Sequence, residues 1–344
     1  MASRKQSGRI TREDVARHAG VSTAVVSYVV NEGPRGVAPE TAARVRASMR
    51  ALRYQPNFNA RALKRGSNQT IGLILRDSLN PFFTEFYLAI ERAAAEQGLR
   101  VVVADSHGDP DMEQQLATEL SSRQVEGLFL MSTTQSQEQL AGLRDGIVPT
   151  VLLDRPAPYP GLSSIGPDAY AGATAAMEHL MAMHHVASVG LIINSGGFGD
   201  PDPRRVAWED GFANAGLAPG PVAVNDWSNL GGYRAAKELL GNGTLPDSLF
   251  VASDHQAVGV IRALHEAGID VARDCPVVSF DGTLSSAYTW PALTSVRQPV
   301  EAMARQALEL LQDPGASPMH HAFAVELIVR ESCGCVLPDG QDRQ

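Results

Sequence analysis

With 344 residues, 44% of them hydrophobic and 19% charged, the chain has the composition of a globular protein with room for two or three packed units, not of a disordered one. No run approaches the roughly 18 uncharged apolar residues of a membrane span, and the basic start MASRKQSGRI lacks the apolar core of a secretory signal. Charge is split unevenly: the first 66 residues carry 13 Lys and Arg against 4 Asp and Glu, net +9, whereas the remaining 278 carry 16 against 34, net −18. Only the basic end suits a polyanion, where each neutralised phosphate releases condensed counterions.

In chain order the first element is TREDVARHAGVSTAVVSYVVN, residues 11–31. Thr11 can cap a helix with Asp14 as its capping-box partner, Val15, Ala16 and Ala19 share one face, and Gly20 is suited to a left-handed stop. Ser22 can cap a second helix with Val26, Val29 and Val30 inward and Thr23, Ala24, Ser27 and Tyr28 on the opposite face. Two short helices around a glycine turn form a helix-turn-helix pattern, although an ordinary helical hairpin with a solvated polar face would read the same way. A third helix begins at Pro39 and spaces Ala42, Val45, Met49 and Leu52 for one small shared core. Beyond Tyr54-Gln55-Pro56 lies a short helix-compatible run through Lys64, then the break Gly66-Ser67-Asn68. Eight residues make a marginal helix in water, so this run should order only against a partner.

DVARHAGVSTAVVSYVVN followed by VAPETAARVRASMRALRYQPNFNARALKRGSNQTIGLIL resembles the LacI/GalR family of bacterial transcription regulators, and the likeness extends over nearly the whole chain. It implies that helix 22–30 enters the DNA major groove, and that hinge helices 57–64 of two protomers lie together in the minor groove with Leu63 wedged into a base step. Such a wedge unstacks and kinks the duplex; packing of Leu63 within the body is the alternative. The DNA-contacting candidates are therefore Thr11, Ser22, Thr23, Ala24, Ser27, Tyr28 and Asn31 in the head, with Asn57, Ala60, Arg61 and Leu63 in the hinge. Val25, Tyr28 and Ala38 depart from the usual Thr, Arg and Ser. A Tyr cannot bond a guanine edge bidentately as Arg does.

From Ile71 onward, β-rich runs at 71–75, 100–104, 127–131, 149–153, 187–193, 248–252 and 276–280 alternate with helical patterns at 83–97, 111–123, 170–183, 204–216, 230–241, 256–267 and 300–312. That alternation predicts doubly wound parallel sheets, and about 270 residues suit two similar subdomains with a cleft at the strands' carboxyl ends. The expected architecture is a small all-α head (1–55), a hinge and linker (56–67), and a two-lobed α/β body of periplasmic-binding-protein type (68–344), which binds an effector and dimerises.

No G-x-G-x-x-G follows strand 71–75, no phosphate-loop or nucleophile-elbow motif occurs, and Gly196-Gly197-Phe198-Gly199 lacks dinucleotide spacing. An enzyme is not expected, nor a cofactor. Three cysteines do not make a disulfide framework and suit a reducing cytoplasm. Cys333-Gly334-Cys335 could ligate a metal, but no second pair or neighbouring histidine set completes the site in sequence. His179, His184 and His185 are not at i, i+4 spacing, so no metal is expected.

Carboxylates at strand ends beside aromatic faces suit a sugar or nucleoside. Asp77, Phe82 in Asn80-Pro81-Phe82-Phe83, Asp154 in Asp154-Arg155, Asp254 in Ser253-Asp254 and Asp281 are the candidates from position alone. The resemblance implies Arg204, Trp227, Asp281 and Gln298 as effector contacts; Arg205 competes with Arg204 if the register slips by one, and Gly282 and His255 are departures. The expectation is a cytoplasmic homodimeric repressor that binds double-stranded operator DNA, has no membrane partner, and is gated by a sugar or nucleoside-like effector. A solute receptor without DNA function, or a carbohydrate or nucleotide enzyme, are the other readings; the +9 head and the missing motifs weigh against them.

Overall fold

The computed structural model describes residues 10–31, 36–54, 68–122, 125–132, 140, 142, 146, 148–184, 186, 188–194, 201–243, 245–313, 315 and 317–335. The chain divides into two compact units between Asn68 and Gln69. The hinge candidates Asn57, Ala60, Arg61 and Leu63 lie outside the described residues.

The first unit contains α1 (Arg12–Ala19), α2 (Thr23–Asn31) and α3 (Pro39–Ala51). Thr11 and Asp14 close a complete capping box: Asp14 N–H donates to Thr11 Oγ1 at 3.3 Å, and Thr11 N–H donates to Asp14 Oδ2 at 2.9 Å. Gly20 ends α1 at φ 65°, a conformation open to glycine at little cost. Val15, Ala16, Ala19, Val26 and Val45 form the buried centre, with Val29, Val30, Met49, Leu52 and Tyr54 packed around it. Arg44 ties α3 back by donating from Nε to the Ala19 carbonyl at 2.9 Å. Ala38 caps α3 with no side-chain bond, so that end relies on Pro39 at the first helical position.

The second unit is built on two six-stranded sheets. The first is ordered β11 (His320–Phe323), β5 (Ser163–Pro167), β4 (Thr150–Leu152), β3 (Gly127–Leu130), β1 (Thr70–Leu75), β2 (Arg100–Asp105), all parallel. The second is ordered β12 (Glu326–Ile328), β10 (Thr294–Arg297), β9 (Val277–Asp281), β8 (Ser248–Val251), β6 (Val189–Ile193), β7 (Val222–Val224), with only β12 antiparallel. Successive side chains on a strand face opposite ways, so each sheet feeds two cores. Leu73 packs with α4 (Pro81–Glu96) and α10 (Val300–Gln312), whereas Ile74 packs with α5 (Pro110–Ser122). Likewise Leu191 meets α6 (Ala169–Glu178) and α7 (Pro203–Ala215), whereas Ile192 meets α8 (Asn229–Gly241) and α9 (Asp254–Glu266).

The chain crosses between lobes three times: from β5 into α6, from β10 into α10, and from β11 into β12. In each sheet the winding reverses beside the first strand, β1 or β6, and there the carboxyl ends of the strands open a crevice. Among the described residues no helix is long and apolar enough to cross a membrane.

Each of the seven predicted strands is present within two residues of its expected bounds. The sequence pattern missed β5, β7, β10, β11 and β12. These are short, and β5 (SSIGP) and β11 (HHAF) are poor in β-branched residues; they are held by parallel pairing, β5 between β4 and β11 and β11 against β5, rather than by their own propensity. The predicted helix 170–183 changes character part-way: α6 ends at Glu178 and a single π-turn spans His179–Met183. That turn carries His184 round to face His179 although the two are not at i, i+4 spacing, with 3.4 Å between their Nε2 atoms.

Candidate functional site

Most of the head's candidates lie on the outward side of α2. Ser22, Thr23 and Ala24 at the start of α2 are exposed, and Ser27 and Tyr28 on the next turn are half-buried. Val26, on the other side of α2, is fully buried against α1 and α3. The outward face therefore presents small hydroxyl and methyl groups at a helix N-terminus, groups small enough to approach base edges and phosphates closely. Thr11 lies exposed at the α1 N-terminus with its hydroxyl committed to the capping box. Val25 is half-buried and packs against the head's core. Asn31 closes α2, and its side chain lies outside the described residues.

Between the lobes of the body lies a cavity of about 460 Å³, measured to its open mouth. Arg76, Asn80, Phe82, Phe83, Asp154 and Pro156 face it from the first lobe. Asp202, Arg204, Trp227, Ser253, Phe280 and Asp281 face it from the second, and Pro167, Ala169 and Gln298 from the crossings.

Arg204 is the best-held group. It stands in the first turn of α7, whose N-cap Asp202 accepts from its backbone N–H at 2.9 Å and grips its guanidinium twice, Nε at 3.0 Å and Nη2 at 2.7 Å. Nη1 donates to the Ala252 carbonyl at 2.8 Å, and the guanidinium sits 4.8 Å from the Trp227 ring and 5.5 Å from Phe280. Burial opposes the charge on Arg204, but Asp202 more than offsets it and raises the pKa. Burial likewise acts against Asp202, and Arg204 overcomes it and holds the carboxyl below its ordinary range.

Across the cleft Arg76 reaches Asp154 at 3.4 Å and stacks 4.5 Å from the Phe83 ring. Burial pushes the Asp154 carboxyl up to about 6 despite the nearby Arg76 and Arg204. Asp281 ends β9 and accepts from Gln298 Nε2 at 3.1 Å. Burial and the charge of Asp254 raise its pKa well above the usual carboxylate range, shifting it toward the neutral acid. The Gln298 Oε1 atom is buried without a hydrogen-bond partner among the described residues. The cavity thus combines two guanidiniums, three carboxylates, one waiting acceptor and aromatic faces, which suits recognition of a polar molecule better than bond chemistry.

Residues 11–57 match the family model described as bacterial regulatory proteins, lacI family, and residues 177–333 match a periplasmic binding protein-like domain. Over 308 residues the chain is 32% identical to the ribose operon repressor of Escherichia coli (strain K12), covering 88% of this chain and 92% of that protein. The chain belongs to the LacI family. It is likewise 32% identical over 328 residues to the HTH-type transcriptional regulator GalR of the same organism, covering 94% and 95%. A crystal structure of the lac repressor dimer bound to operator and the anti-inducer ONPF superposes with a TM-score of 0.79 at 26% identity, covering 95% of this chain and 99% of that one. This LacI-family protein is a DNA-binding transcriptional regulator and not an enzyme.

Within that family frame, the cavity gathers Phe82, Asp154, Arg204, Trp227, Asp281 and Gln298 out of the eight positions expected from sequence. Asp77 and Asp254 do not line it. Asp77 accepts from the Leu79 N–H at 2.9 Å in the turn after β1. Asp254 is saturated internally: Ser279, Ser295 at 2.6 Å, and the Thr283 N–H and hydroxyl at 2.7 and 2.8 Å all donate to its carboxylate. Its strand-end position was real, but its charge is spent joining β9 and β10 to the following turn. Arg204 faces the cavity, whereas Arg205 is exposed and pairs with Glu209 at 2.9 Å.

Gly282 is also explained: at φ 66° a Cβ would lie 2.3 Å from Arg297 Cα, so the Asp or Asn common in the family has no room here. His255 is buried beside the cavity without lining it. Phe83 joins Phe82 from the aromatic run read after β1, whereas Arg76, Asp202 and Phe280 were missed. Only Arg76, a charge directly following a buried strand, left a readable trace; Asp202 and Phe280 enter through the fold.

Proposed function

We infer that this regulator is a cytoplasmic repressor that binds a near-palindromic operator as a homodimer and is gated by a small, uncharged, polyhydroxylated molecule, a sugar or nucleoside, held in the inter-lobe cavity. The observation that carries the effector class is the charge balance of the cavity. Arg76 and Arg204 are matched by Asp154 and Asp202, while Asp281 is shifted toward its neutral form. A site so balanced has no excess charge to recruit an ion. It offers fixed acceptors at Asp154, Asp281 and Gln298 Oε1 to hydroxyl donors, and faces at Phe82 and Trp227 to a ring. Phe82, Asp154, Arg204, Trp227, Asp281 and Gln298 are the proposed effector contacts.

Dimerisation draws support from an exposed apolar patch on the turn after β9, where Leu284, Tyr288 and Trp290 are 67%, 77% and 80% exposed. One small head reaches only a few base pairs, so specificity needs two half-sites about one helical turn apart. Thr11, Ser22, Thr23, Ala24, Ser27, Tyr28 and Asn31, with hinge residues Asn57, Ala60, Arg61 and Leu63, are the proposed DNA contacts.

The test starts from operator DNA selected out of a random library by the full chain. A thermal-shift panel of monosaccharides, disaccharides and nucleosides, with sugar phosphates and nucleotides as their anionic counterparts, then identifies a ligand, and fluorescence anisotropy measures operator affinity with and without it. The expected result is two protomers per site and a ligand that changes operator affinity at least five-fold. One protomer per site at saturation would refute the dimer; a panel in which only anions bind would refute the neutral effector.

A further inference from the structure

We propose that His179, His184, Cys333 and Cys335 form a structural zinc site that fastens the C-terminal turn of the chain to the end of α6. Their ligand atoms all lie within 4.8 Å of one another. The separations among His179, His184 and Cys335 match what one tetrahedral ion demands, and Cys333 lies close enough to supply the fourth ligand. Zn–N bonds of about 2.0–2.1 Å and Zn–S bonds of about 2.3 Å at tetrahedral angles set N···N near ~3.3 Å and N···S near ~3.5 Å. The two Nε2 atoms are 3.4 Å apart, and Cys335 Sγ lies 3.7 Å from His179 Nε2 and 3.5 Å from His184 Nε2.

The backbone is shaped for this arrangement. In an α-helix a residue at i+5 stands about 140° round from residue i, so the two rings would diverge. The π-turn over His179–Met183 widens the helix and brings His184 back over His179, with ring centroids 5.1 Å apart at 69°. Single π-turns are rare and concentrate at functional sites. The cysteines arrive from the other direction, on the 3-10 turn Glu331–Cys333 and its left-handed stop at Gly334, more than 150 residues away in sequence. Two imidazoles and two thiolates in a tetrahedron select zinc over the hard cations, and four protein ligands leave no open position for catalysis. The metal would close a long loop within the second lobe. Along α6 it lies about 15 Å from Ala169 in the effector cavity, so it is a separate site.

The experiment uses untagged full-length protein, purified under reducing conditions and dialysed against metal-free buffer. Elemental analysis should find about one zinc per chain, falling at least ten-fold in Cys335→Ser and in His179→Gln. Chelation should lower the melting temperature of the wild type by several degrees and leave Cys335→Ser unmoved. Should either variant fold poorly, cobalt titration of the stripped wild type decides alone. Tetrahedral d–d bands in the red with a thiolate charge-transfer band in the ultraviolet support the site. An octahedral cobalt spectrum, a zinc content equal in wild type and Cys335→Ser, or a Cys333–Cys335 disulfide in the reduced preparation overturns it.

Discussion

The head and the cleft carry their functions in opposite ways. The proposed DNA contacts of α2 lie within one run of ten residues, 22–31, on a helix whose cap and inward face are encoded locally. The cavity draws on residues from Arg76 to Gln298, contributed by both lobes and by two of the crossings. A surface made of consecutive residues survives changes elsewhere so long as its helix forms. A cavity between two lobes depends on how both are held, and that is what lets a ligand favour one arrangement over another and so act on DNA binding.

The largest effect expected from separating the regions is loss of operator binding on deleting residues 1–66, about 10³-fold or more, with the body still folded. Anisotropy on the selected operator and circular dichroism of the fragment check it. Specific binding by the fragment would break the division of labour.

Next is Asp254→Ala, which strands four buried donors and should destabilise the body by about 3–5 kcal/mol, read as a lowered denaturation midpoint. If the variant is as stable as wild type but fails to bind effector, Asp254 belongs in the site after all.

Arg204→Ala should weaken effector binding about 100-fold, since it removes the clamp beside Trp227 and leaves Asp202 buried without its partner. Arg205→Ala, touching only an exposed i, i+4 pair, should change effector affinity less than two-fold. Isothermal titration of both variants distinguishes them, and the reverse ranking would place the register wrongly.

The pH dependence sharpens the cleft further. Asp154 has its pKa raised to about 6, so protonation stabilises the folded body between the ordinary carboxylate range and pH 6, and that gain is lost as pH rises through 6. Effector hydroxyls need the carboxylate form. Affinity should therefore fall about ten-fold from pH 7 to pH 5, and Asp154→Asn should abolish the dependence. A wild-type profile flat over that range would show that the ligand does not use Asp154.

The smallest effect belongs to the head. Thr11→Ala opens the capping box and should cost about 1 kcal/mol of head stability, measured by hydrogen exchange in α1, without touching effector binding.

Local chemistry was legible in the sequence wherever neighbours a few residues apart decide the structure. The capping box at Thr11 and Asp14, the stop at Gly20, the valine stripe of α2 and the seven β-rich runs all follow from periods of 3.6 and 2 and from turn chemistry. Strand-end positions also marked where a cleft would open, because parallel sheets place ligands at their carboxyl edges. What each strand-end carboxylate does there was settled by tertiary contacts. Asp254 and Asp281 look alike in sequence, yet one is consumed by Ser279, Ser295 and Thr283 while the other faces the cavity beside Gln298. The short strands β5 and β11 exist because neighbouring strands in the sheet supply their hydrogen bonds, and Asp202 enters the site because it caps the helix that carries Arg204. Cys333 and Cys335 read as a pair, but no spacing joins them to His179 and His184; a widened helical turn and the returning chain bring the four together. Sequence periodicity reports which face of an element is buried, whereas a side chain's partner depends on packing between elements far apart in the chain.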